Sequence, residues 1–264
     1  MCKANPLSNI DLHQPRGMSL INIDRAILEA ANLPIIELSY DRGETVYEQG
    51  ALAQFVYAVD QGALYRFRLM PGERRSIFQF LFPGDGFGYE TGRHHRDTVR
   101  ALTNIKALAA SRPALLLAAK SDARLSNLLF SAAASAALAA DEKTDILRVK
   151  TATEQIAQFL LEMEVCLSKR GIIDLPMSRS QIADYFGVRI ETVSRAINAF
   201  QREKIIQFRD REQRRIVIRD KRRLQKLASD ASDFDYWSVL KIRTTANAET
   251  PPNRNETHGT SIRP

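Results

Sequence analysis

Apolar positions change their spacing along this 264-residue chain, and each change marks a boundary. Between residues 34 and 111 they come in short runs closed by turn residues. Phe55–Val59 precedes Gly62, Leu64–Leu69 precedes Pro71-Gly72, and Ser76–Phe82 precedes Pro83-Gly84-Asp85. Short runs bounded by Gly and Pro predict antiparallel strands gathered into a compact β barrel. From Arg112 the spacing turns helical. Arg112–Lys120 reads as one helix and Asp122–Val149 as a longer one. Along the second, Leu125, Leu128, Ala132, Ser135, Ala139, Glu142, Ile146 and Val149 alternate by three and four. That is a heptad seam with small residues in its middle, the pattern by which helices pair. Leu129 and Phe130 are placed for the other ordinary role, packing on the strands.

The segment Met177–Phe200 has the densest local information. Ser178 stands at an N-cap position with Gln181 three residues later, a capping box. Ile182, Ala183 and Phe186 give the first helix an apolar face. Gly187 suits a left-handed turn that a β-carbon would resist. A second helix starts near Ile190, with Val193, Ile197 and Phe200 on its inner side. Glu191, Ser194 and Arg195 fall at i, i+3 and i+4 on the other side. The pattern is a helix-turn-helix with a polar outer face.

Those side chains suit the edges of bases in a major groove. Arg195 matches O6 and N7 of guanine, Glu191 accepts from the N4 amine of cytosine, Ser194 bonds either way, and Ile190 offers an apolar contact to a thymine methyl. Ser178, Arg179 and Thr192 lie near helix starts, where phosphates bind. A plain helical hairpin with a solvated face is the bland alternative. Charge favours the nucleic-acid reading. Arg202–Lys226 holds eleven Lys or Arg and four Asp or Glu, an excess of +7 that equals the formal charge of the whole chain. Within it, Arg209–Arg215, including Arg214 and Arg215, lies between Ile205-Ile206 and Ile216-Val217-Ile218. This reads as a basic hairpin, a wing contributing salt-dependent affinity for the DNA backbone.

The run Ile190-Glu191-Thr192-Val193-Ser194-Arg195, preceded by Ile182-Ala183-Asp184-Tyr185-Phe186-Gly187, resembles the recognition motif of the Crp/Fnr superfamily of bacterial transcription regulators. Its Glu-x-x-Ser-Arg form is similar to the Fnr and FixK branch. The cyclic-AMP-responsive branch usually has Gly where this chain has Ser194 and Arg where it has Ile190. The resemblance covers roughly residues 30 to 225, and Tyr40–Gly50 and Pro83–Gly88 are similar to the family's β-roll turns. It implies an α+β fold: an N-terminal double-stranded β-helix (a jelly-roll-like β-roll), a long dimerisation helix, and a C-terminal winged helix-turn-helix. The expected division is an arm at 1–18, the β-roll at 19–120, the dimer helix at 121–150, the DNA-binding domain at 151–230 and an extension at 231–264. In that extension Phe234–Leu240, with the sole Trp237, is expected to dock on the body. The dimer seam rests on Leu125, Leu128, Ala132 and Ile146.

Composition adds bounds. Hydrophobic residues make up 44% and charged residues 26%, ordinary for a soluble globular chain. No run is long and apolar enough for a membrane helix, and no signal-peptide pattern opens the sequence. Two cysteines, Cys2 and Cys166, suit a reducing compartment, the cytoplasm. They are too few for the iron–sulfur cluster of an Fnr-type sensor. Cys166 is a candidate redox thiol, though a merely tolerated one is the commoner case.

The cyclic-nucleotide branch binds phosphate with a Gly-Glu turn and a later Arg-Ser pair. Here the turn reads Phe87-Gly88-Tyr89-Glu90, and His95-Arg96-Asp97-Thr98 stands at the pair, where Asp97 repels an anion. His94 and His95 point to opposite faces of an extended strand, so they do not chelate one ion, and both are expected as exposed loop residues. No nucleophile triad, Walker loop or CxxC is present.

The expectation is a non-enzymatic homodimeric regulator without cofactor or metal. Its partners are double-stranded DNA, RNA polymerase and a second copy, with no membrane. From the resemblance, it binds TTGA/TCAA palindromes and activates genes of low-oxygen respiration, denitrification or nitrogen fixation. A regulator sensing haem, nitric oxide or a nucleotide is the alternative within the family, and a ligand-binding β-roll with a structural hairpin the alternative outside it.

Overall fold

A computed structural model describes residues 33–72, 75–89, 92–127, 129–130, 133 and 151–229. The arm expected at 1–18, the extension at 231–264 with Trp237, and Leu128, Ala132 and Ile146 of the expected seam lie outside the described residues.

Eight strands fill the first half: β1 (Ile35–Tyr40), β2 (Thr45–Tyr47), β3 (Phe55–Gln61), β4 (Leu64–Leu69), β5 (Arg75–Leu81), β6 (Gly86–Phe87), β7 (Thr98–Ala101) and β8 (Ile105–Ser111). The pairing is nested, β1 with β8, β2 with β7, β3 with β6 and β4 with β5, all antiparallel. A chain paired in this way is one long hairpin folded over itself, the jelly-roll form of a double-stranded β-helix. It yields two four-stranded sheets, ordered β1-β8-β3-β6 and β2-β7-β4-β5. They stay open, where the spacing of strands and turns predicted a barrel. Each strand is paired within its own sheet, and apolar side chains fill the space between the two. Their facing sides bury Tyr57, Val59, Leu64, Leu81, Phe87, Val99, Ile105 and Ala107.

Turn glycines hold the roll together. Gly88, with φ +86°, leaves β6 where an added β-carbon would lie 2.9 Å from the carbonyl oxygen of Phe55. Both the dihedral and the close approach exclude a side chain there.

Helix α1 (Arg112–Ser121) follows β8 directly, capped by Ser111 and with Pro in its first turn. Its Leu115 packs with Val56, Ala110 and Leu125, and Leu129 covers this cluster. Leu125, expected on the dimer seam, is therefore buried within its own chain. Phe130, expected to pack on the strands, is 75% exposed. Helical geometry accounts for both: Leu125 and Leu129 share a face at i, i+4, and Phe130 is turned about 100° away from Leu129.

The second half comprises α2 (Ala152–Leu167), β9 (Ser168–Lys169), β10 (Ile172–Asp174), α3 (Arg179–Phe186), α4 (Ile190–Arg202), β11 (Ile206–Phe208), β12 (Arg215–Ile218) and α5 (Lys221–Ser229). Thr151 and Glu154 form a capping box that starts α2. Ile156, Phe159, Leu160 and Met163 of α2 are fully buried and supply the centre of this half. Its four strands form one sheet ordered β11-β12-β10-β9. Among the described residues no helix is long and apolar enough to cross a membrane.

Candidate nucleic-acid interface

The two helices of the motif are fixed at their ends. The Ser178 side chain accepts from the backbone N–H of Gln181, and the Gln181 side chain accepts from the backbone N–H of Ser178. Gly187 ends α3 in the left-handed region at φ 68°. Arg189 precedes α4 without a side-chain cap. Val193, Ala196, Ile197 and Phe200 are buried on the inner side of α4. Glu191 and Arg195 are exposed on its outer side, Ile190 is 43% exposed, and Ser194 and Thr192 are half-buried. The Arg195 guanidinium lies 3.5 Å from the Thr192 hydroxyl, one turn back. Glu191 sits in the first turn, where the helix dipole favours an anion. Asn198 is exposed on the same face, seven residues beyond Glu191, a site visible in the sequence only through that i+7 spacing.

The wing is a true hairpin. Ile206 pairs with Ile218 and Phe208 with Ile216. The Asp210 carboxylate closes the loop by accepting from the backbone N–H groups of Arg214 at 3.1 Å and Arg215 at 2.8 Å. Arg209, Arg211 and Arg215 are exposed. Arg214 is half-buried, and its guanidinium reaches the Pro176 carbonyl at 3.5 Å. Arg179 donates to the Gln213 side chain and sits 5.9 Å from the Phe208 ring centre, and partial burial lowers its pKa below the usual arginine value. The basic run does not all belong to the wing. Lys221 pairs with Glu164 at 2.7 Å and Arg223 with Glu203, both from α5.

A half-exposed reading face, a capped supporting helix and a basic hairpin on one small sheet form a winged helix-turn-helix. Residues 154–227 match the family described as Crp-like helix-turn-helix domain, and residues 37–122 match the cyclic nucleotide-binding domain. The chain is 32% identical over 195 residues to the nitrogen fixation regulation protein FixK of Azorhizobium caulinodans, covering 72% of this chain and 78% of that one. It belongs to the Crp/Fnr family, in its FixK-type group. The transcriptional activator protein FnrA of Stutzerimonas stutzeri is 32% identical over 203 residues, 73% of this chain and 80% of that one. The structure of FixK2 from Bradyrhizobium japonicum superposes with a TM-score of 0.72 at 36% identity, over 76% of this chain and all of that one. The chain is thus a DNA-binding transcription regulator, and α3 and α4 are the two helices of its helix-turn-helix.

In the β-roll of this FixK-type regulator, a buried ion pair occupies the place of the expected Arg-Ser pair. Asp97, at the place of the expected phosphate-binding serine, is 1% exposed and holds Arg66 at 2.7 Å. Arg66 also donates to Gln79 at 2.9 Å, and the Tyr47 hydroxyl donates to Asp97 at 3.3 Å. A carboxylate at this place repels a phosphate, and it already engages the Arg66 guanidinium. Arg96 is exposed, and its carbonyl accepts from Arg68 at 3.0 Å. Tyr57 stacks on Phe87 at 4.9 Å inside the roll, with Tyr47 beside both. The two histidines point to opposite sides as expected, but only His94 is exposed. His95 is 3% exposed and stacks on Tyr47 at 3.5 Å. A ring that replaces water by a flat aromatic face is stable inside, and backbone hydrogen bonds of His95 to Ala51 and Gly50 hold it against the β-roll. No cluster of His, Cys, Asp and Glu suited to a metal occurs among the described residues. Cys166 is half-buried near the end of α2, in no disulfide.

Proposed function

We propose that this regulator acts as a cytoplasmic homodimer on TTGA/TCAA palindromes and activates low-oxygen genes by engaging RNA polymerase, with no enzymatic activity of its own. The observation that carries the reading is the outer face of α4. Glu191 and Arg195 are exposed together beside a basic hairpin, and the buried side of the same helix is fully packed. Glu191, Ser194, Arg195 and Ile190 read base edges, while Ser178, Thr192 and Arg215 approach the backbone. Two reading helices related by a dyad require half-sites about 34 Å apart, one helical turn. The heptad seam at Leu128, Ala132 and Ile146 supports pairing, and so do the exposed Leu116, Leu117 and Phe130, large apolar side chains on the surface of a lone chain. Control of nitrogen-fixation genes follows the name of FixK and activation that of FnrA, while low-oxygen respiration and denitrification follow the resemblance to the Fnr and FixK branch.

The β-roll acts here as a scaffold. A ligand shifts an equilibrium only by binding two states differently, and the Arg66–Asp97 pair with its aromatic surroundings provides no such site for a nucleotide. The test is a binding titration on a TTGA/TCAA palindrome in air, with and without cyclic AMP, haem or reductant. Tight binding unchanged by each addition is expected. A strict requirement for one of them would refute effector independence and favour a small-molecule sensor.

A further inference from the structure

We infer that Arg179 is a positioning residue that ties the wing to the entry of α3, and that it does not neutralise a DNA phosphate; the inference rests on α4 and the wing meeting DNA together. Arg179 is the first residue of α3, a place where sequence alone suggests a backbone contact. Its side chain is already engaged. It donates to the Gln213 side-chain carbonyl and lies over the Phe208 ring. Phe208 ends β11, and Gln213 lies in the loop just before β12, so one guanidinium holds both limbs of the wing.

Gln213 is fixed for this contact by its backbone. Its φ is 57°, a left-handed conformation uncommon for a residue with a β-carbon. A second arginine fastens the wing in the opposite direction. Arg214 reaches back to the Pro176 carbonyl, and its own carbonyl accepts from the backbone N–H of Leu175 at 3.1 Å. Arg179 thus runs from helix to wing and Arg214 from wing to the strand–helix junction. Strands as short as β11 and β12 hold a hairpin only weakly by themselves. Base contacts need their supports placed within about 0.5 Å, so a wing tied to α3 keeps backbone and base contacts in register. Phosphate neutralisation then falls to the exposed Arg209, Arg211 and Arg215.

Salt dependence separates the two roles. Affinity for the palindrome is measured across a salt series for the full chain and for Arg179→Met, Gln213→Ala, the double variant and Arg215→Ala, with melting curves as a folding check. Arg179→Met should weaken binding about tenfold, the size of one charged hydrogen bond with an aromatic contact, and leave the slope of log affinity against log salt unchanged. Gln213→Ala should produce a similar loss, and the double variant should be no worse than Arg179→Met. Arg215→Ala should reduce the slope by about one for each copy on the DNA. If Arg179→Met reduces the slope as Arg215→Ala does, or if the two single losses add, the inference is overturned. Should Arg179→Met fail to fold, Gln213→Ala decides alone: a loss at constant slope supports the tie, and no loss overturns it.

Discussion

The ring of Phe80 lies 5.2 Å from that of Tyr185, so the outer side of β5 rests directly on the first helix of the helix-turn-helix. Phe159 of α2 stands 6.1 Å from both rings, and Phe186 meets Phe159 and Tyr185 edge-on. Four aromatic rings from three elements therefore join the β-roll to the reading unit. Phe80 is fully buried and Tyr185 nearly so. Aromatic pairs in such tilted arrangements contribute about 0.5–1.5 kcal/mol beyond their buried area. A double-mutant cycle with Phe80→Leu and Tyr185→Leu should return a coupling energy of that size in chemical denaturation. Additive losses would mean that the two rings are neighbours without mutual stabilisation.

Tyr89 gives a prediction of opposite sign. Its hydroxyl is buried with no hydrogen-bond partner among the described residues, and burial pushes its pKa well above the usual phenol value. Leaving such a group unpaired costs about 1–3 kcal/mol, so Tyr89→Phe should stabilise the chain by about 1 kcal/mol and raise Tm by roughly 2–4 °C. The pH dependence has a definite direction. The folded phenol keeps its proton where the unfolded one, with a pKa of about 10, loses it. Stability is thus present below about pH 10 and falls as pH rises above it, and the variant should lose less there. Denaturation at pH 8 and pH 10.5 checks both statements; a destabilised variant would show that the hydroxyl is satisfied.

The dimer seam is tested at the positions that heptad spacing selects. Leu128→Glu with Ile146→Glu places like charges across a paired helix and should give a monomer in sedimentation, with tight binding to a two-half-site probe lost. Wild-type chain that is monomeric at working concentration and still binds that probe tightly would contradict pairing.

Local chemistry was legible in the sequence, and distant contacts were not. Ser178, Gln181 and Gly187 act on neighbours within a few residues, so their roles follow from spacing alone. Val193, Ile197 and Phe200 repeat at helical intervals and are buried as that repeat requires. Tyr185 was passed over because its partner Phe80 lies on a strand in the other half of the chain, and its hydroxyl makes it look like a surface residue. Phe186, read as the buried aromatic of α3, is half-buried for the same reason: the β-roll covers Tyr185 and sets which side of α3 is deepest. The Arg66–Asp97 pair spans 31 residues, and nothing local to Asp97 announces it. The short strands β9 and β10 went unread because Ser168-Lys169 and Ile172–Asp174 have too few residues to show alternation. The basic run was legible as charge, but its division between wing and α5 depends on Glu164 and Glu203, acids that pair from outside the loop.

Reading of base edges by α4 is the central claim, and Arg195 tests it most directly. Affinity of wild type and Arg195→Ala is measured on a TTGA/TCAA palindrome and on a scrambled duplex of equal length, at one salt concentration. The exposed guanidinium on the outer side of α4 should be worth about 1–3 kcal/mol on the palindrome, with almost no change on scrambled DNA. Equal weakening on both duplexes would contradict the account, since it would make Arg195 a contact to phosphate and not to a base.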